Sequence, residues 1–371
     1  MAMAMLVAVL AVFTFGMVTV FPGSIKLRLV ERVGMDDSQI GKSITVWQVM
    51  TLIFTIVVGP VLDRLGHKPI LITGFVLVGL AMCLFATAKR ASGVFFASAL
   101  LGVGGSCVNS GGNTLLPALN TSNPAAASNL GNVFFGLGAF IVPFLISFLF
   151  ARFPFTISVG LFGLISFAAA IPALFAHYPA ISESYDWTSA LSLVHNPTAL
   201  IAGLILFCYI GLEVSTASWS TTYLKNAGFA ENRASLIFSL FWVAMIVGRL
   251  IASQIVTTSI GKATIGGATF AAAVGLFILT ITKNRLLAGA IIVVTGLCYA
   301  PIFPTTVGVT FSRFSPSLYG SVYAIMVAIG LLGPSIIPAW IGYYSKTRSI
   351  QAGYRLMVAL AALLVVFAIF L

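Results

Sequence analysis

The sequence predicts an all-α polytopic membrane protein of twelve transmembrane helices in two six-helix bundles. Three observations carry that expectation. The 371-residue chain is 60% hydrophobic and only 7% Asp, Glu, Lys and Arg, whereas soluble domains carry roughly 25% charged residues. Twelve apolar runs have lengths near the roughly 20 residues needed to cross the hydrocarbon. One longer polar connection, 177–197, separates the first six from the last six.

The runs lie at 3–24, 40–62, 69–87, 92–118, 125–150, 154–176, 198–223, 233–257, 263–282, 285–309, 318–344 and 352–371. A bilayer leaves helices as the natural way to satisfy the backbone of such runs. The first begins almost at Met1 and reaches Pro22 without a small-residue cleavage site, so it reads as a span and not as a removed signal peptide. Asp63 to Lys68 separates the second run from the third, Lys89-Arg90 the third from the fourth, and Asn120 to Pro124 the fourth from the fifth. Arg152 and Pro154 end the fifth. In the second half the same work falls to Lys225 to Arg233, Thr257 to Lys262, Lys283 to Arg285, Arg313 to Pro316, and Lys346 to Arg348. The expected organisation is an N-terminal bundle over 1–176, a linker over 177–197 and a C-terminal bundle over 198–371. Equal halves of this kind are what a parallel-repeat transporter presents. The linker holds Glu183, Asp186 and Trp187; Trp187, Leu191 and Val194 could form a short helix on the membrane surface or a plain loop.

The formal net charge of +11 is spread singly or in pairs between apolar runs, which does not make a nucleic-acid surface. Cys83, Cys107, Cys208 and Cys298 fall inside apolar segments without metal-ligand spacing, so they read as buried small hydrophobes. No metal or cofactor is expected. His67, His177 and His195 fall in predicted loops, and no Ser–His pair or paired intramembrane acids point to catalysis. A nucleotide-binding Gly-Lys-Ser/Thr loop is also missing, against ATP drive within this chain. The chain is expected not to be an enzyme.

Between the second and third spans stands Gly59-Pro60-Val61-Leu62-Asp63-Arg64-Leu65-Gly66-His67-Lys68. It resembles the G-x-L-a-D-R-x-G loop of the major facilitator superfamily and falls at the position that superfamily expects. Gly66 permits a tight turn, Arg64 and Lys68 sit at headgroup depth, and the Asp63 carboxylate can accept from free amides at a helix N-terminus. The resemblance implies that this terminus belongs to the eleventh helix, starting near Ser315-Pro316-Ser317-Leu318, and that Gly59, Asp63, Arg64, Gly66 and Lys68 form a conformational latch. A reduced copy lies in the second half. Aligning Gly261 with Gly66 sets Gln254 at Gly59, Thr258 at Asp63 and Ser259 at Arg64, so only the glycine and a following Lys262 survive.

Further segments resemble the fucose permease-like, fucose–proton symporter branch: Gly102-Val103-Gly104 with Asn109 and Asn113, Asn129 to Ala139 with Pro143, Tyr209-Ile210-Gly211-Leu212-Glu213 with Trp219 and Tyr223, Gly248-Arg249-Leu250, and Pro301 to Thr305. That branch implies coupling acids in the first and fourth helices. Here the first span has no acid and the fourth carries Asn109 and Asn113, so the implied pair is absent. The Gly-Pro and Gly-Gly pattern of drug antiporters is absent from the fifth span too, where Pro143 follows Val142.

Glu213 is the one carboxylate well within a predicted span. An acid at mid-helix costs roughly 2.5–3.5 kcal/mol on insertion scales, so it should face the protein interior. There it could bind a proton or sodium ion or the solute, or be held permanently by a neighbouring helix. Tyr209, Glu213, Thr216 and Ser220 form one polar stripe at helical spacing. Asn109 and Asn113 share a face, as do Asn129 and Asn132. With Trp47, Gln48, Trp219, Tyr299 and Tyr323 these amides, hydroxyls and rings make a candidate site for a neutral polar solute; interhelical hydrogen bonding is the alternative for any one of them. Arg249 lies about two turns inside its span and about 10 Å in depth from Glu213 at 1.5 Å rise per residue. It reads better as a snorkelling anchor than as that acid's partner.

The functional expectation is secondary transport of a sugar, polyol or similar metabolite by alternating access, with or without coupling to a proton or sodium ion at Glu213. The chain would work as a monomer in the lipid bilayer, in a cell (inner) membrane with both termini cytoplasmic. The alternative on the same fold is export of an amphipathic drug-like compound or lipid, consistent with 30 Phe residues. The superfamily's orientation leaves only Arg64, Lys68, Arg249, Lys262 and Arg313 of the 19 Lys and Arg on the cytoplasmic side, opposite to the positive-inside bias.

Overall fold

The computed structural model describes residues 1–179 and 192–371, and its described residues are helical with no strand. Twelve helices are long and apolar enough to cross a membrane. They are α1 Ala2–Ser24, α2 Asp37–Leu65, α3 His67–Thr87, α4 Ala91–Leu119, α5 Pro124–Phe150, α6 Phe155–Phe175, α7 Pro197–Asn226, α8 Glu231–Ile255, α9 Gly261–Ile281, α10 Arg285–Phe311, α11 Pro316–Thr347 and α12 Ile350–Phe370. Each matches a predicted run to within a few residues. An integral membrane protein follows from these spans.

Local chemistry explains several ends. Asp36 caps α2 reciprocally, its carboxylate accepting from the Gln39 amide at 2.7 Å while the Gln39 side chain accepts from the Asp36 amide at 3.1 Å. Asn196 caps α7 by accepting from Thr198 N and Ala199 N, with Pro197 in the first turn. The chain leaves α2 through Gly66 at φ 78°, a left-handed value that favours glycine. α10 is interrupted between Tyr299 and Ile302, where Pro301 cannot supply an amide, and α11 between Gly330 and Leu332.

Two expectations need correction or limit. His67 is not in a loop. It opens α3, is buried, and its Nε2 lies 3.1 Å from Thr114 Oγ1 of α4. Outside the predicted runs, the chain after α1 forms a short helix, Lys26–Val33, with exposed Lys26–Asp37 and Arg28–Glu31 ion pairs. Val194 falls in a single 3-10 turn, Leu193–His195; Glu183, Asp186, Trp187 and Leu191 lie outside the described residues. Of the cysteines, Cys107 and Cys208 are buried and Cys83 and Cys298 half-buried.

The chain divides into two compact units. The first contains Met1–Leu119, Phe134–Ala190 and Pro316–Ala324. In it α4 packs on α1, α2 and α3, and α3 also packs on α6. The second contains Asn120–Val133, Leu191–Ser315 and Ile325–Leu371. Here α10 packs on α7, α8 and α9, and α9 also packs on α12. The same pairing scheme thus recurs at an offset of six helices. Each unit also keeps a short stretch of helix from the other half of the sequence, the start of α11 in the first and the start of α5 in the second.

Candidate functional site

In the first unit the Asp63 carboxylate, buried at the end of α2, receives three hydrogen bonds from the start of α11. Oδ1 accepts from Gly320 N at 2.7 Å, and Oδ2 accepts from Ser321 N at 2.7 Å and from Ser321 Oγ at 2.6 Å. The accepting carboxylate and donating amides make an N-terminal anion site built from the chain itself. The donors sit a few residues beyond the expected Ser315 to Leu318. Glycine is required on both sides of this contact. A Cβ on Gly59 would run into the Gly320 carbonyl oxygen, and a Cβ on Gly320 into the Gly59 carbonyl oxygen. Arg64 and Lys68 are exposed.

The same unit joins three other expected residues. Asn113 Nδ2 donates to Asn109 Oδ1 at 2.9 Å, and Tyr323 Oη donates to the same oxygen at 3.2 Å. All three are buried. Helical spacing places the two asparagines one turn apart on α4, and α11 brings the tyrosine. Trp47 is buried on α2, and its indole Nε1 has no hydrogen-bond partner. Gln48, by contrast, is exposed on α2.

The second unit gathers a charged group. Arg249 is 3% exposed, and its Nη2 lies 3.8 Å from Glu213 Oε1, whose side chain is 15% exposed. Arg249 Nη1 also donates to the carbonyl of Asn132 at 3.2 Å. The expected snorkelling anchor is therefore a buried ion-pair partner. Depth along separate helices misled, because a guanidinium stem spans the difference that backbone rise alone leaves open. Around the pair, Tyr209 stands one turn before Glu213 and meets the Tyr299 ring edge-on at 6.0 Å between centroids. Thr216 Oγ1 lies 3.5 Å from Tyr299 Oη, and Ser220 Oγ lies 3.5 Å from Tyr354 Oη.

Asn129 and Asn132 also belong to this unit. Asn129 Nδ2 donates to Thr305 Oγ1 at 3.0 Å and to Ala125 O at 2.9 Å, while Asn132 Nδ2 donates to Ser128 O at 3.0 Å. Trp219 packs against α11 at Gly342, where a Cβ would stand 2.8 Å from its ring. Sequence reasoning missed Arg249, Thr305, Gly320 and Ser321 as members of these groups. Arg249 and Thr305 stood inside quoted motifs, but nothing local announced their partners.

The reduced copy of the Asp63 loop also makes a contact in the second unit. Asn123, just before α5, donates through Nδ2 to the Val256 carbonyl at the end of α8 at 3.2 Å. Gly261 lies against Val309 and Thr305 of α10, with no room for a Cβ. The aligned glycine here serves close packing without the positive φ of Gly66, and the acceptor is a backbone carbonyl two residues before Thr258.

The fold matches that of the E. coli fucose:proton symporter, with TM-score 0.83, 18% identity and 98% of each chain covered. Among curated proteins, the chain is similar to the vesicular acetylcholine transporter of Rattus norvegicus, at 23% identity over 78% of this chain and 57% of that one. It is also similar to the human sodium-dependent glucose transporter 1, at 29% identity over 40% of this chain and 29% of that one. The chain thus spans little more than half the length of the curated relatives it matches, or less. The family model of the Major Facilitator Superfamily matches residues 5–338, and the chain belongs to that superfamily, whose members are membrane transporters and not enzymes.

Proposed function

We propose that this chain is a secondary active transporter that moves a small polar solute, of the sugar, polyol or similar metabolite class, by alternating access. The single observation that carries the reading is the buried Glu213–Arg249 pair, flanked by Tyr209, Thr216 and Tyr299. Charges inside membrane spans are costly, and where present they mark solute and ion pathways. Asn109, Asn113, Asn129, Asn132 and Tyr323 supply amide and hydroxyl contacts, and Glu213 is the coupling group. Trp47, Gln48 and Trp219 complete the proposed solute contacts. The names of the relatives, a fucose:proton symporter and a sodium-dependent glucose transporter, support the polar-solute class and a coupling cation.

Gly59, Asp63, Arg64, Gly66 and Lys68 form the conformational latch in this reading, closed when Asp63 holds Gly320 and Ser321. The protein acts as a monomer in a cell membrane with both termini and the Asp63 loop in the cytoplasm. Uptake and counterflow in proteoliposomes, across a panel of sugars with and without imposed pH or sodium gradients, tests the proposal. Gradient-driven accumulation is expected in the wild type and its loss in Glu213→Gln. A Glu213→Gln protein with full transport and unchanged pH and sodium dependence would remove Glu213 from the coupling role.

A further inference from the structure

Outside the polar groups described above, the first unit carries a cluster of arginines where the short helix Lys26–Val33 meets the turn between α5 and α6. Arg28 lies over the Phe150 ring, 5.5 Å from its centroid, and Arg32, one turn further on, lies over the Phe155 ring at 5.1 Å. The two rings are themselves stacked, with centroids 5.8 Å apart and planes 23° from parallel. Arg32 Nη1 also donates to Thr156 Oγ1 at 3.1 Å. Arg152, in the turn just after Phe150, lies over the Phe148 ring at 3.8 Å. All three arginines are exposed, and all belong to the first unit.

A guanidinium that merely reaches for water needs no fixed seat. Here ring faces hold each one in place, an attraction that strengthens as water is withdrawn. Helical spacing keeps Arg28 beside Arg32, so like charges stand together. Glu31 meets Arg28 at 2.9 Å, while Asp36 accepts from the Gln39 amide and Asp37 pairs with Lys26. Against three guanidiniums, Glu31 leaves this corner positive, and each guanidinium carries five N–H donors, more than these contacts use. The corner lies where spans end, α1 at Ser24 and α5 at Phe150, and where α6 begins at Phe155. Leu27, Phe148 and Phe153 are exposed within the same segments. Fixed positive charge beside exposed apolar rings fits the headgroup layer of a bilayer. A soluble acidic partner would meet the charge and leave the rings without a role.

We propose that this corner of the first unit binds the headgroup phosphate of an anionic phospholipid. Arg32 and Arg152 donate to the phosphate oxygens, a geometry the guanidinium fork matches. Arg28 adds its charge while keeping Glu31, and the acyl chains lie along the exposed phenylalanines. The site is separate from the solute and coupling groups, and its occupancy does not depend on them.

Purified full-length protein, stripped of lipid in a nonionic detergent, tests this. It is titrated with palmitoyl-oleoyl phosphatidylglycerol or with the matching phosphatidylcholine, and retained lipid is read by native mass spectrometry. The wild type should prefer phosphatidylglycerol. Arg32→Gln combined with Arg152→Gln should weaken phosphatidylglycerol by at least about tenfold and leave phosphatidylcholine unchanged. Lys89→Gln combined with Arg90→Gln removes the same charge from exposed positions in the α3–α4 turn of the same unit, and should weaken it by less than about threefold. Equal losses in the two double variants would mean diffuse attraction and no site; equal retention of the two lipids by the wild type would remove the preference. Either result overturns the proposal. Glycerol phosphate, which carries the phosphate without the chains, should leave the lipid bound; full displacement would assign the corner to a soluble phosphate instead. Arg152 bears on its own segment through Phe148, so Arg152→Gln alone keeps the test if losing Arg32 unfastens the short helix. About fivefold weaker phosphatidylglycerol binding is expected of it, and unchanged affinity would overturn the proposal.

Discussion

Asp63 and the Glu213–Arg249 pair show two ways of keeping a charge inside a helical membrane protein. Asp63 is satisfied by three donors at one helix start, and hydrogen bonds to charged groups contribute about 1.5–3 kcal/mol each. Asp63→Asn keeps the shape but sets an NH2 against amide donors. Counterflow should fall steeply in this variant while helical content, read by circular dichroism, stays unchanged; undiminished counterflow would show that the contact is dispensable. The ion pair makes a different prediction. Removing one partner of a buried pair costs about 3–5 kcal/mol, whereas removing both is far less harmful. Glu213→Gln and Arg249→Gln should each lower the thermal unfolding midpoint in detergent, and the double variant should recover most of the loss. Additive losses would mean that the two side chains are not energetically paired. Glu213 was legible in the sequence because an acid in an apolar run stands out. Arg249 was legible as a charge but not as a partner, since pairing depends on how α7 and α8 stagger, and one sequence does not carry that.

At the scale of elements, close helix approach rests on glycines that no periodicity singles out. A Cβ on Gly16 of α1 would strike the Phe135 carbonyl of α5, and one on Gly138 the Phe13 carbonyl of α1. In the second unit a Cβ on Gly333 of α11 would strike the Phe207 backbone of α7, and Gly211 is filled by Ile337. Small residues let helices meet where lipid offers no hydrophobic drive to bring them together. Backbone cannot swing aside as a side chain can, so Gly333→Val should destabilise by about 1–3 kcal/mol through overpacking. The check is the unfolding midpoint beside that of Gly267→Val, where a Cβ meets nothing within 4 Å; equal midpoints would refute the packing argument. Span positions were legible to within a few residues because hydropathy reads length directly. The interruption of α10 was foreshadowed by Pro301, and the one at Leu331 by Gly333-Pro334, since Pro334 has no amide and crowds the carbonyl four residues back at Gly330. His67 was misplaced because hydropathy alone cannot distinguish a loop histidine from one that starts a helix and bonds Thr114.

At the scale of the whole molecule, two sequence signals disagree over orientation. The Asp63 loop resembles a cytoplasmic motif, yet the opposite side then collects fourteen of the 19 Lys and Arg. Burial of Arg249 removes one more from the cytoplasmic surface and sharpens the conflict. Part of the opposing charge is already engaged. Lys26 pairs with Asp37, Arg28 with Glu31 and Lys225 with Glu231. Because the bias counts Lys and Arg near span ends, with carboxylates contributing little, pairing does not cancel it. The loop motif acts by specific geometry, and its side chains make the contacts such a motif requires, so the orientation proposed above follows the motif. Single cysteines test it. Lys68 and Lys89 are exposed at opposite ends of α3, which makes them a matched pair across one helix. The native cysteines are buried or half-buried, and the unmodified protein supplies the background. In intact cells an impermeant maleimide should label Lys89→Cys and spare Lys68→Cys until the membrane is opened. Labelling of Lys68→Cys alone would turn the molecule over. The charge bias would then have set the orientation, and the Asp63 latch would lie on the outer face.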